Sequence, residues 1–85
     1  MSQTDTTAGD AGPHPDDLAV NRFAAAMKAK LAASRAKGRS GWQQMSEADL
    51  FADLCHHCHK PNSDMVDVAN LAMMIHLNRE TVNGR

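Results

Sequence analysis

The stretch DMVDVANLAMMIHL, residues 64–77, decides the fold. Between Met65 and Leu77 only Asp67, Asn70 and His76 are polar, so Val66, Val68, Ala69, Leu71, Ala72, Met73, Met74, Ile75 and Leu77 would cover most of the circumference of a helix. A helix that is apolar all round is buried on more than one side. The chain has no Tyr, one Trp and two Phe, while Ala, Leu and Met supply most of its apolar mass, a composition that favours helix over sheet. An all-α protein is expected.

Working outward, Pro61 and Asn62 interrupt the helical pattern just before this stretch, which places a helix at about 63–81 and another before the break. Ser46 is a plausible N-cap for that earlier helix, at about 46–60, with Glu47 and Asp49 in the first turn where the helix dipole favours negative charge. Its apolar stripe reads Leu50, Phe51, Leu54, Cys55 and Cys58, which directs both cysteines toward the core. Further upstream, Val20, Phe23, Ala24, Met27, Leu31 and Ser34 recur at three- and four-residue spacing behind a cap at Asp16 or Asp17. That first helix, at about 17–37, stops at Gly38, a residue that reaches the left-handed region cheaply. The expected architecture is a hairpin of 46–60 and 63–81 with the first helix packed across it. Residues 1–15, rich in Thr, Asp, Gly and Pro, read as a flexible tail, and 16–85 as a single α-helical domain.

About seventy residues make a thin core, and domains of this size usually add a metal, disulfides or a second subunit. With only two other helices available to cover helix 63–81, part of its surface is expected to pack on another copy, giving a homo-oligomer.

The formal net charge of −1 hides a segregation. Residues 22–39 carry Arg22, Lys28, Lys30, Arg35, Lys37 and Arg39 with no acid, whereas residues 1–17 carry Asp5, Asp10, Asp16 and Asp17 with no base. A concentrated positive segment can meet phosphate or an acidic partner. Lys28, Lys30, Arg35, Lys37 and Arg39 are therefore candidate ligand- or partner-binding residues, with Trp42 and Asn70 beside them. The plainer reading is a solvated helix face, with Trp42 as the lid of a small core and Asn70 hydrogen-bonded inside the bundle. DNA is not an expected partner, because the acidic remainder opposes a polyanion and no groove-reading motif is recognisable. No run of eighteen apolar residues exists to span a membrane, and the N-terminus lacks the basic and apolar regions of a secretory signal. A cytoplasmic protein with reduced thiols is expected.

LCHHCHK, residues 54–60, holds both cysteines and three of the five histidines and contains C-x-x-C-H. Haem attachment is not expected, since the stretch fits a continuous helix and no export signal precedes it. Zinc would need a fourth ligand beyond Cys55, Cys58 and His59, and His76 lies too far along the hairpin to supply it within one chain. A mixed site of His56 or His59 with Asp64 and Asp67 is geometrically easier and would suit Zn²⁺ better than Mg²⁺. The simpler alternative needs no cofactor: the cysteines are small hydrophobes and the histidines complement the helix C-terminus. No catalytic nucleophile is assigned, because a cysteine on an apolar stripe is usually inert.

Three stretches carry a family resemblance: FAAAMKAKLAASRAKGRSGW (23–42), MSEADLFADL (45–54) and DMVDVANLAMM (64–74). Together they resemble small phage-encoded proteins that are themselves similar to the all-α nucleoside triphosphate pyrophosphohydrolases of the MazG type, over roughly residues 22–79. In the enzymes, E-E-x-x-E and a later E-x-x-D hold Mg²⁺ beside the triphosphate. Asp64 and Asp67 stand where E-x-x-D would fall, but His56, His57 and Lys60 occupy the places of the glutamates. The resemblance thus implies ancestry more than activity. The basic first helix and the apolar excess on helix 63–81 point to a non-catalytic phage-encoded helical protein acting on a host or phage protein or a nucleotide-like ligand, with counter-defence as one such role. Two alternatives stand beside it, a minimal Mg-dependent nucleotide pyrophosphohydrolase assembled as an oligomer and a zinc-stabilised helical adaptor.

Overall fold

A computed structural model describes residues 12–83 and shows an all-α unit of three helices. Helix α1 spans Pro15–Ala36, α2 spans Glu47–His59 and α3 spans Met65–Asn83, with a short 3₁₀ turn at Trp42–Gln44 leading into α2. Most of the expected tail, residues 1–11, lies outside the described residues.

The helix ends follow from local chemistry. Helix α1 begins earlier than expected, because the His14 side chain rather than Asp16 or Asp17 is the cap: its Nδ1 accepts the Asp16 backbone N–H at 2.9 Å. Pro15 occupies the first turn, where its missing N–H costs nothing, and the two aspartates remain there to complement the dipole. At the other end Gly38 adopts φ 84°, and the Arg39 N–H donates to the Ser34 carbonyl while the Gly38 N–H donates to Arg35. This left-handed closure satisfies carbonyls that would otherwise be orphaned. Ser46 caps α2 as expected, its Oγ accepting the Asp49 N–H at 3.1 Å. Asn62 takes φ 57° in the turn after Pro61, and Asp64 Oδ1 accepts the Val66 N–H at 2.8 Å, so α3 starts behind an aspartate cap.

Helices α2 and α3 form the expected antiparallel hairpin, and α1 leans on α3 rather than on α2. The open end of the hairpin is closed by Arg79, whose Nε and Nη2 donate to the two Glu47 carboxylate oxygens at 2.8 and 2.7 Å. Where α1 meets α3, the Asn70 side-chain amide donates to the Met27 carbonyl at 3.3 Å.

The core is thin, as the length implies. Among the described residues only Leu50 (0% exposed) and Ile75 (7%) are buried hydrophobics, and Asn70 (5%) is the buried polar residue. Leu18, Val20, Phe23, Met45, Phe51, Met65 and Leu77 all remain exposed. One expectation is corrected here. The inward face of α2 is Leu50, Leu54 and His57, at i, i+4 and i+7, so Cys55 is half-buried, Cys58 is exposed and Phe51 points outward. Of the expected stripe, Leu50, Leu54 and, in part, Cys55 face inward, whereas Phe51 and Cys58 are exposed because α3 meets the helix on its Leu50 side. No helix among the described residues is long and apolar enough to cross a membrane.

Candidate functional site

The packing of α1 on α3 brings a cation and two carboxylates together. Lys30 Nζ lies 3.2 Å from Asp64 Oδ2 and 3.3 Å from the nearest Asp67 oxygen. His57 Nδ1, on α2, lies 4.0 Å from Asp67 Oδ2, just beyond hydrogen-bonding range, and it is buried without a partner. The hydrogen bonds that the Lys30 ammonium donates to Asp64 and then Asp67 push it above its usual range. The Asp64 carboxyl is held below its usual range, first by the Val66 backbone N–H at the start of α3 and then by Lys30. Both Asp64 oxygens are thus engaged, one by the helix end and one by the ammonium.

The four candidate metal ligands do not meet as a set. Asp64 and Asp67 share Lys30, whereas His56 and His59 are exposed, and His56 packs edge-on against His57 with ring centroids 5.6 Å apart. Among the described residues no group of three or more His, Cys, Asp and Glu side chains is placed to hold a metal ion. His76 lies on the exposed side of α3 against Glu80 at 3.3 Å.

Two clefts share part of their walls, and one of them borders the Lys30 cluster. One, of about 500 Å³, is walled by Lys30, Lys37, Arg39, His57, Lys60, Asp67 and Asn70 together with Leu31, Ala33, Ser34, Leu71 and Met74. The second, of about 410 Å³, shares Leu31, Ser34, Arg39, Leu71 and Met74 with the first and continues to Trp42, Met45 and Leu50, with Arg35 and Asp53 at its edge. Of the residues singled out in the sequence, Lys30, Lys37, Arg39 and Asn70 border the first cleft, and Arg35, Arg39 and Trp42 the second. Lys28 is exposed and lies outside both. Trp42 is half-buried, and its carbonyl accepts the Asn78 amide at 3.1 Å, which fixes the short turn against α3.

Sequence reasoning missed His57 and Lys60 as cleft residues. The signal for His57 was its spacing of seven from Leu50, which puts it on the inward face; Lys60 follows from the turn that ends α2 beside α1. Comparison with models of protein families, with curated proteins and with solved structures finds no match.

Proposed function

We propose that this chain is a non-catalytic helical interaction protein that works as a homo-oligomer in the cytoplasm. The observation that carries the reading is the imbalance between two buried hydrophobic side chains and seven exposed large ones among the described residues. Single exposed hydrophobics are ordinary, but so large an excess of them over buried ones on a domain this small favours association. Exposed apolar residues on α3 include Met65 (55% exposed), Ala72 and Leu77, and on α1 Val20 (65%) and Phe23. A second copy of the chain is the occupant with matching chemistry, since each copy carries the same uncovered apolar helix faces and a symmetric pairing can be self-complementary.

The resemblance to small phage proteins supports a phage-encoded origin and a host or phage protein as the further partner. Hydrolysis is left out of the reading because Asp64 is engaged by Val66 and Lys30, and because histidines and a lysine stand where the related enzymes carry glutamates.

Ala72→Glu tests the reading. Ala72 is exposed in the single chain, so the substitution leaves the helices intact by circular dichroism but places a charge in the proposed interface. The expected result is a folded protein of lower mass by native mass spectrometry. A variant with unchanged subunit number would overturn the proposed use of this face.

A further inference from the structure

Helices α1 and α2 both pack on α3 and barely touch each other, so a groove runs between them with α3 as its floor. The two clefts, which share Leu31, Ser34, Arg39, Leu71 and Met74, are parts of this one groove. Leu31, Leu71 and Met74, each half-buried, give it an apolar bed. On its walls Lys37, Arg39 and Lys60 have no carboxylate within ion-pair distance among the described residues, whereas Lys30 and Asp67 already neutralise each other. An apolar channel between two helices is the shape into which an amphipathic helix lies, and unpaired cations beside it favour a helix that brings acids.

The chain itself carries such a helix. From Pro15 to Phe23 every side chain of α1 is exposed, and Asp16, Val20 and Phe23 recur there at four- and three-residue spacing on one side, with Asp17 next to Asp16. Among the described residues Asp17 has no ion-pair partner, and Asp16 has only His14, at 3.6 Å. This end cannot enter its own groove, because α1 is one continuous helix of 22 residues, about 33 Å long, that holds it away from Lys37. Another copy can supply it. Charge then sets the direction: α1 has acids in its first turn, with Arg35 in its last turn and Lys37 and Arg39 just beyond. Two such helices side by side place unlike charges together at both ends when antiparallel and like charges together when parallel.

We propose that two copies pair antiparallel, Pro15–Phe23 of each lying in the groove of the other, with Asp16 and Asp17 against Lys37, Arg39 and Lys60 and with Val20 and Phe23 over Leu31, Leu71 and Met74. The exchange is reciprocal, so it closes on a two-fold axis. It rests on the homo-oligomer reading above and adds to it the surface, the direction and the charges that set that direction.

The test is sedimentation velocity and native mass spectrometry of the full chain and of two charge-reversed forms, Asp16→Lys with Asp17→Lys and Lys37→Glu with Arg39→Glu. Each form alone sets like charges together in both grooves and should associate at least about tenfold more weakly than the unmodified chain. Mixed in equal amounts, the two should recover association and give assemblies that contain one of each, because every groove then meets the opposite charge. Lys28→Glu reverses a charge outside both clefts, so it should change association by less than about threefold and form no preferred assembly with the Asp16→Lys, Asp17→Lys form. Should circular dichroism show a reversed form unfolded, Asp16→Asn with Asp17→Asn, or Lys37→Gln with Arg39→Gln, takes its place, and weaker association is again expected. An unmodified chain that is monomeric throughout overturns the oligomer reading and this pairing with it. An oligomer whose association the charge variants leave unchanged, or reversed forms that do not recover on mixing, overturns the pairing alone.

Discussion

The α2–α3 hairpin is tied at both ends, whereas α1 is tied at one. Asp64 and the Pro61-Asn62 turn close the hairpin at one end and the Arg79–Glu47 pair closes it at the other, with Leu50 and Ile75 buried in its structure. Helix α1 contacts α3 through Met27 and Lys30, but from Pro15 to Phe23 every side chain is exposed. A helical segment of that length gains little from its own hydrogen bonds, and isolated helices shorter than about 12–15 residues are marginal in water. The difference teaches where stability is generated within one chain and where it must come from contact with another. Leu18, Val20 and Phe23 lie in the second kind of region.

The comparison can be broken most severely in the hairpin. Leu50→Ala removes a fully buried side chain, and such truncations cost about 2–5 kcal/mol. A domain of this size has on the order of 4–13 kcal/mol in total, so urea denaturation should show the variant unfolding at a much lower midpoint. A fully stable variant would mean that the core lies elsewhere.

A smaller and different effect is expected from Val20→Ser combined with Phe23→Ser. Burying a large apolar side chain contributes about 1.5–3 kcal/mol, so loss of two from an interface should weaken association by more than about tenfold in a sedimentation dilution series. The hairpin itself should keep its unfolding midpoint once dissociated. If the midpoint falls as much as for Leu50→Ala, α1 is core to the single chain and the contrast disappears.

Ser46→Ala sharpens the account at lower amplitude. Loss of the Oγ bond to the Asp49 N–H should cost about 1 kcal/mol by denaturation, without altering subunit number.

The smallest effect is that of pH. Asp64 and Glu47 have carboxyls held below their usual range, Asp64 mainly by the Val66 N–H and Glu47 mainly by Arg79. Their contribution is complete above the unfolded carboxylate values of about 4 and is lost as pH falls through the lower folded values. Lys30 is raised by Asp64 and Asp67, so its contribution is complete below about 10.4 and is lost as pH rises through the folded value. A melting-temperature series should therefore show a plateau between these limits with respect to these groups, and Asp64→Asn should flatten the acid side. All the groups are solvent-accessible, which keeps the change modest.

Much of the fold was legible because its signals are local. Gly38, Ser46 and Pro61-Asn62 each act within a few residues of themselves, and the helices start and stop accordingly. His14 was missed as a cap because histidine is an uncommon one, and Pro15 was the better clue to where α1 starts. What could not be read was the rotation of α2. The expected stripe of Leu50, Phe51, Leu54, Cys55 and Cys58 is wider than the face that packs, and only the position of α3 leaves Phe51 and Cys58 outside it and turns His57 inward. The cleft beside Lys30 was legible as a list of basic residues but not as a place. Lys30 is drawn off by Asp64 and Asp67, thirty-odd residues away in sequence, and Lys60 is brought in by a turn, neither of which shows in the period of a single helix.

Multi-angle light scattering of the unmodified chain, over a wide range of concentration, tests the central claim most directly. The account predicts a mass that is an integer multiple, two or more, of the 9.2 kDa chain and that falls on dilution as the apolar faces of α1 and α3 separate. A stable, folded monomer of 9.2 kDa at the highest concentration would contradict it.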